Sequence, residues 1–298
     1  MRSRNAGGGW PSLSSTAADQ LRAFARAAPI LVLLFQSPAL ALSAASEAGA
    51  CSLEGAAPAT VAAIDDDFDL LMDDGRRVSL AGLEFPSPPA KGESGLRAAV
   101  RHRLSDWLAG RDVFVGAFAT APDRWGRVPS RLFAVKGEGA EAPLVSVAAA
   151  LLEQGDARFR PDPPATPCAK DYLTAEAPAR EALRGLWSDP ALRPIDPAAP
   201  DAAALLLQRK GMTVVTGRVH SVGESRGAIY LNFGEKRAED FSVVILRRNL
   251  SIFAQSGIEP KTLIGRRARV RGLIETGFGP RIEISTPAEI EIIDGAAP

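Results

Sequence analysis

The sequence predicts an α+β fold that is mainly β with helices, arranged as two small β-barrels in succession. Short runs of alternating apolar residues come first, and a helical pattern follows them. This order occurs twice, and a proline-rich stretch over 189–210 separates the two occurrences. The length of 298 residues agrees with about two domains at ~150 residues each, and 46% hydrophobic residues supply two cores.

Residues 1–45 are predicted to be an export segment. Arginines at 2, 4, 22 and 26 precede the apolar run 30–35, and the small residues Ala39-Leu40-Ala41 follow it. This pattern is typical of a secretory signal peptide. The run is short and is flanked by Pro29 and Pro38, which disfavours a membrane span and leaves an uncleaved anchor as the alternative. We therefore expect an exported bacterial protein, periplasmic or secreted, with membrane attachment only through an uncleaved segment.

The first domain is predicted over 51–188. Strands are expected within 59–86, with a hairpin at Asp73-Asp74-Gly75 and an end at Pro86. Strands first, then a helix, then strands and helices favour a small Greek-key barrel of the oligonucleotide/oligosaccharide-binding (OB) type with packed helices. The later elements are a helix over 94–109, strands over 112–120 and 131–135, and helices over 145–154 and 171–187.

A linker and a second domain are predicted beyond residue 188. Repeated X-Pro pairs over 189–210 indicate a stiff spacer, which a short helix over 202–208 closes. Residues 211–295 have five predicted strands with a helix between the third and the fourth, which is the order of a second OB-like β-barrel. The predicted elements are strands over 213–222, 228–233, 241–246, 267–274 and 281–284, and a helix over 249–256.

Four pieces of the first domain, taken in order, resemble the thermonuclease (staphylococcal nuclease-like) family. The resemblance covers roughly residues 58 to 188 and implies an SNase-like barrel of the OB type. The pieces are 64–72 with its Asp73-Asp74-Gly75 turn, Val78–Ser87, Asp123–Arg127, and Glu176–Trp187.

The resemblance implies a calcium site and a phosphodiester-cleaving site. In that family carboxylates hold calcium, a glutamate activates water, and two arginines stabilise the charge on the phosphate. Counted back from the proline corner without gaps, Glu84 stands at the first acid and Ser87 at the glutamate base. Ser79 stands at the strand arginine, Phe68 at the calcium-binding aspartate, and Arg127 alone is kept unchanged.

These substitutions predict a degenerate nuclease site. Serine supplies no base near neutral pH, and loss of a positioned general base costs ~10²–10⁴ in rate. We therefore expect a non-catalytic binding module of the cell envelope, with no cofactor and with an unidentified polymer or envelope protein as partner. The alternative is a calcium-dependent endonuclease with a rearranged site, in which Arg127 and Glu84 are catalytic and Asp67, Asp69 and Glu84 bind calcium.

The charge balance disfavours nucleic acid as the partner of the first domain. Residues 51–187 contain 16 Lys and Arg against 20 Asp and Glu, a net charge of −4. Residues 211–298 contain 12 against 10, a net charge of +2. Because proteins that hold nucleic acid usually present a basic surface, the first domain has the wrong sign for that ligand.

The second domain resembles the OB-like domain that some exported thermonuclease-family proteins carry at their C-terminus. Residues 230–234, 240–241 and 279–282 carry this resemblance. Aromatic residues there predict a stacking face with a basic edge for a ligand, and the alternative is ordinary core and surface roles. A third hypothesis is therefore an envelope scaffold that binds protein or glycan. The candidate ligand-binding residues are Tyr230, Phe233, Phe241, Arg269 and Arg271.

The chain has two cysteines, Cys51 and Cys168, and both follow the predicted signal. An even number in an exported chain predicts a disulfide, and the alternative is two unrelated buried thiols.

Overall fold

The computed structural model describes residues 51–88, 95–236 and 239–293. The predicted export segment lies outside the described residues. The described residues belong to one compact unit, Ala45–Pro298. The predicted α+β class is confirmed, because the described residues contain five α-helices together with several β-sheets.

The first half forms a closed five-stranded barrel. Its strands are joined in the order β3-β2-β1-β5-β6, and a parallel pairing between β3 and β6 closes the ring. Strand β7 pairs antiparallel with β6, and β4 pairs with β8 in a separate two-stranded sheet outside the barrel. The elements are β1 (Ala57–Ile64), β2 (Leu70–Met72), β3 (Arg77–Leu80), β4 (Leu83–Glu84), α1 (Gly95–Leu108), β5 (Asp112–Ala117), β6 (Arg127–Val135), β7 (Leu144–Ser146), α2 (Val147–Gln154), β8 (Arg158–Phe159) and α3 (Ala169–Glu181).

The predicted hairpin of the first half is present between β2 and β3. Gly75 has φ 84°, a left-handed conformation that glycine adopts without strain, and its N–H donates to Met72 O at 3.0 Å. The inward residues Leu70 and Val78 are 0% exposed, so the register of the hairpin is fixed by the core.

The helix predicted over 171–187 is shorter and starts earlier than expected. It runs over Ala169–Glu181 with Pro178 inside, and a 3₁₀ helix, Gly185–Ser188, follows. Leu183 and Gly185 have φ 51° and 56°, which ends the α-helix. A Cβ on Gly185 would lie 2.2 Å from Gly155 O, so only glycine fits this crossing of two chain segments.

The second half consists of two sheets around one apolar core. One sheet has the order β10-β11-β12-β15-β14 and the other β16-β13-β9. Helix α5 lies between β12 and β13, as predicted, while closure into a second barrel stays a prediction. The elements are α4 (Ala202–Gln208), β9 (Met212–Arg218), β10 (Ser221–Glu224), β11 (Ala228–Asn232), β12 (Ser242–Leu246), α5 (Leu250–Gln255), β13 (Arg267–Leu273), β14 (Glu275–Thr276), β15 (Pro280–Ile284) and β16 (Ile290–Ile292).

The predicted linker packs against the second half. Ile195 forms a parallel bridge with Val215 and is 7% exposed, and Leu206 of α4 is fully buried in the same core. Residues 189–210, which the sequence predicted as a stiff spacer, therefore include residues packed in the core of the second half.

A buried ion-pair network joins the two halves. Glu176 of α3 is 0% exposed and accepts hydrogen bonds from Phe159 N at 2.7 Å, from Arg180 at 2.8 Å and from Arg271 at 2.9 Å. Arg271 lies on β13 and is 1% exposed, and it also donates to Phe159 O and to Glu291. The second half thus supplies a cation that neutralises a buried carboxylate of the first.

The predicted disulfide is confirmed. Cys51 and Cys168 are bonded, with Cα atoms 5.1 Å apart and a sequence separation of 117. The bond ties the chain ahead of β1 to the segment that leads into α3. In the described part of the chain, no helix has the length and apolar character needed to cross a membrane.

Candidate functional site

A cleft of about 560 Å³ opens on one side of the first barrel. The cleft is bordered by the loop before β2, strand β3, the corner after β4, the turn before β6 and the segment 160–164 after β8, with Arg97 of α1. All four nuclease-site candidates from the sequence lie along this cleft, as do the two serines that the resemblance aligns with the strand arginine and the glutamate base. They are Arg127, Glu84, Asp67 and Asp69, with Ser79 and Ser87.

The loop 65–69 determines which side chains face the cleft. The Asp65 carboxylate accepts hydrogen bonds from the N–H groups of Asp67 and Asp69, both at 2.9 Å. Phe68 has φ 65°, and its ring stacks on Phe85 in the core with centroids 4.2 Å apart. The residue at the family's calcium aspartate is therefore a core aromatic, and Asp69 is the buried acid at the cleft.

Asp69 is a buried carboxylate between two arginines. It is 4% exposed, with Arg77 Nε at 3.2 Å and Arg127 Nη1 at 3.9 Å. Burial raises the pKa of this carboxyl to about 6, against the attraction of Arg127, and the nearby Asp65 raises it further. At neutral pH Asp69 is ionised at a cost in free energy.

Arg127 is held by the turn that carries it. Its Nε and Nη2 donate to Asp123 Oδ2 at 3.0 and 2.9 Å. Asp123 Oδ1 accepts from the N–H groups of Trp125 and Arg127, both at 2.9 Å. These hydrogen bonds hold the pKa of Asp123 below its usual range although burial opposes ionisation. The guanidinium of Arg127 is thus engaged in an ion pair with Asp123.

Glu84 is paired with an arginine that the sequence analysis missed. Its carboxylate accepts hydrogen bonds from Arg158, at 3.1 Å from Nε. The Arg158 side chain is 3% exposed and also donates to the carbonyl oxygens of Leu192 and Met212. Glu84 therefore compensates a buried cation that lies 74 residues away in sequence. No local sequence signal marks this pair.

The acids of the cleft do not fit a calcium site. Glu84 accepts from Arg158, Asp69 lies between Arg77 and Arg127, and the exposed carboxylate of Asp67 lies 3.8 Å from Arg97. Within residues 51–88, 95–236 and 239–293, no three His, Cys, Asp or Glu side chains form a group that would hold a metal ion. Calcium needs several convergent oxygen ligands, and these carboxylates are paired with arginines instead.

The candidate ligand residues of the second half have different roles from those expected. Phe233 and Phe241 are 5% and 1% exposed and pack together in the core, so neither offers a face to a ligand. Arg271 belongs to the buried network, and Arg269 bonds Glu291 at 3.3 Å, so the expected basic edge is internally paired. The phenylalanines are buried in the core of the second half, whereas Arg271 is buried because Phe159 and Glu176 of the first half cover that face of β13.

Tyr230 alone of that set borders an open pocket. This pocket has a volume of about 280 Å³ and also contains Phe278, which is 93% exposed and was missed from the sequence. The signal for Phe278 was its position between Gly277 and Gly279, since glycines on both sides indicate an exposed turn.

No protein-family model matches the chain, and no curated protein matches it.

Proposed function

We propose that this chain is an exported thermonuclease-family protein whose nuclease site is degenerate and which serves as a non-catalytic binding module of the cell envelope. In this proposal the first half is an SNase-like OB-type barrel and the second is an OB-like barrel. The order of motifs, the closed five-stranded barrel and the parallel pairing of β12 with β15 support it.

The pairing of Glu84 with Arg158 is the observation that carries the proposal. A catalytic acid at this corner must contact a metal ion or a water molecule in the cleft, but Glu84 accepts hydrogen bonds from the buried guanidinium of Arg158. Ser87, at the position of the base, has no proton-accepting group near neutral pH. Arg127, the one retained residue, donates to Asp123.

The test is incubation of the mature protein with single-stranded DNA, double-stranded DNA and RNA in calcium. We expect no cleavage above that of an Arg127→Ala sample prepared in parallel. Cleavage that EDTA abolishes and that Arg127→Ala lacks would overturn the proposal. Arg127→Ala leaves Glu84 and Arg158 intact. Because both samples are prepared in the same way, a contaminating nuclease would give equal activity in both.

The second candidate function is a calcium-dependent nuclease with a rearranged site, and the observation that favours it concerns the general base and not the calcium ligands. Asp69 and Arg127 line the same cleft, and burial raises the pKa of Asp69 to about 6, a value suited to a general base. This function predicts cleavage that rises with pH through about 6 and disappears in Asp69→Asn.

A further inference from the structure

The outer face of the sheet β10-β11-β12-β15-β14 has a composition unlike its inner face. Inward side chains of these strands are aliphatic and belong to the core, among them Ile229, Leu231, Val243 and Ile282. Outward side chains alternate with them, and cross-strand pairing brings Asn232, Ser242 and Arg281 into one row beside Tyr230. The outer face therefore places an aromatic ring next to an amide, a hydroxyl and a guanidinium.

Two aromatic side chains form walls of the pocket on this face. Tyr230 lies opposite Gly223 in the register of β10 and β11, so no side chain on that neighbour covers its ring. Phe278 stands at the tip of the hairpin between β14 and β15, where Gly277 N donates to Gly279 O at 3.0 Å. A Cβ on Gly279 would lie 3.0 Å from the carbonyl oxygens of Glu239 and Asp240, so the tip packs closely against that loop. Phe278 itself is 93% exposed and lines the rim of the pocket.

The charged side chains around the pocket are paired. Glu224 forms ion pairs with Arg247 at 3.0 Å and with Lys261 at 2.7 Å. Arg281 donates to Glu275 at 3.1 and 3.2 Å. A polyanion needs cations that are available for its phosphates, whereas the cations around this pocket are paired with glutamates. We therefore infer that the ligand of this pocket carries no net charge.

The size and the polar groups of the pocket further restrict the chemical class of ligand that it can bind. A volume of about 280 Å³ holds a single ring, and Asn232 and Ser242 line the pocket together with the two aromatic residues. The amide nitrogen of Asn232 donates to Ser221 Oγ at 3.1 Å, so its oxygen is the group that a sugar hydroxyl would meet. Isolated exposed aromatics are common, but two that share one concavity with convergent polar groups have the composition of a ligand site. A pyranose ring presents apolar C–H faces to aromatic rings and hydroxyls to amides.

We propose that this pocket binds one neutral sugar ring of a glycan, with Tyr230 and Phe278 against its faces and Asn232 and Ser242 at its hydroxyls. The site is separate from the cleft of the first barrel. It goes beyond the proposed function by assigning the binding partner to the glycan class.

The experiment titrates the full mature protein with cellohexaose, maltohexaose and chitohexaose by calorimetry, with an oligothymidylate as the nucleic-acid arm. We expect saturable binding of at least one hexasaccharide, and Phe278→Ala should weaken it by about tenfold or more. Phe278 is exposed, so this variant keeps the fold. Leu273→Ala, which removes another exposed apolar side chain outside the pocket, is the matched control and should bind like the wild type.

Binding of none of the three hexasaccharides would overturn the inference, and so would sugar binding that Phe278→Ala leaves unchanged. Oligothymidylate binding that Phe278→Ala weakens, without sugar binding, assigns the pocket to nucleic acid and also overturns it. Each of these results is independent of the cleavage assay, so this inference can fail while the proposed function stands.

Discussion

Asp69 shares both of its neighbouring cations with other acids. Arg77 also donates to Asp65, and Arg127 donates two hydrogen bonds to Asp123. Burial therefore outweighs the attraction of the two arginines and raises the pKa of Asp69 to about 6. Because this lies above the ordinary value of 3.8, ionisation of Asp69 destabilises the folded state as pH rises between the two values.

Replacing Asp69 with asparagine tests this directly. Asp69→Asn should increase the free energy of unfolding at pH 8 by roughly 1–2 kcal/mol, since solvent in the cleft reduces the full effect of a two-unit shift. Near pH 4 the variant and the wild type should have similar stability, because folded Asp69 is then protonated. Urea unfolding of the variant and the wild type at pH 8 and at pH 4 measures the difference in the free energy of unfolding at each pH.

Asp67→Asn is the control, because that side chain is 75% exposed. It should change the free energy of unfolding by less than about 0.5 kcal/mol at either pH. An Asp69→Asn variant that is less stable than the wild type at pH 8 would show that the arginines, and not burial, dominate at this site.

The sequence selected four residues that line one cleft but missed the partner of Glu84. Motif spacing pointed to Arg127, Glu84, Asp67 and Asp69, and the barrel places them along one cleft. The partner of Glu84 lies on β8, and nothing in the spacing indicates that a strand 74 residues away contributes Arg158. This ion pair depends on the pairing of β4 with β8 outside the barrel, which a linear pattern does not encode.

At the scale of elements, local chemistry was predicted better than packing. The hairpin at Asp73-Asp74-Gly75 and helix α2, which Gly155 caps, have local signals and agree with the structure within two residues at each end. The end of α3 was misplaced because Leu183, a residue with no turn preference, adopts φ 51° to bring Gly185 against Gly155. That conformation is imposed by a tertiary contact.

The disulfide gives a prediction at this scale. Cys51 and Cys168 close a loop across the first half, with a sequence separation of 117. Removing such a constraint allows the unfolded chain more conformations and costs up to roughly 4–5 kcal/mol on the chain-entropy model. The Cys51→Ser/Cys168→Ser double variant should lose about that free energy of unfolding in guanidinium titrations. Addition of dithiothreitol should destabilise the wild type to a similar extent and leave the double variant unchanged, and a double variant as stable as the oxidised wild type would contradict this account.

At the scale of the whole molecule, the two halves depend on each other through Glu176 and Arg271. Burial opposes ionisation of Glu176, but Arg271, with Arg180, holds the pKa of this carboxyl below its usual range. The sequence predicted two domains joined by a stiff spacer, with Arg271 on a basic edge of the second domain. In the structure Arg271 lies on the face of β13 opposite to the core residues Ala268 and Val270, where it reaches a carboxylate of the first half 95 residues earlier in the chain.

Breaking this pair should destabilise the whole unit. Arg271→Met should lower the free energy of unfolding by about 3–5 kcal/mol, because Glu176 stays buried without one of its cations. The double variant Glu176→Leu/Arg271→Met should recover part of that loss, since an uncharged pair has no ion to desolvate. Arg76→Met, which removes an exposed ion pair, is the control and should cost less than about 1 kcal/mol.

The same network has a pH dependence of defined sign. Since the folded-state pKa of Glu176 is below the ordinary 4.5, its stabilisation is present above that value and is lost as pH falls through the lowered pKa. Glu176→Gln should therefore be less stable than the wild type at pH 7, and the difference should shrink in acid. A difference that does not depend on pH would contradict an ionised Glu176.

A calcium titration of the mature protein, followed by thermal stability and amide chemical shifts, tests the central claim most directly. Because the acids of the cleft are paired with arginines of the same chain, we expect no saturable change up to roughly 1 mM calcium. This holds for the unfolding temperature and for the amide chemical shifts of residues 65–69 and 83–87. Saturable one-to-one binding in that range, lost in Asp69→Asn and in Glu84→Gln, would contradict it.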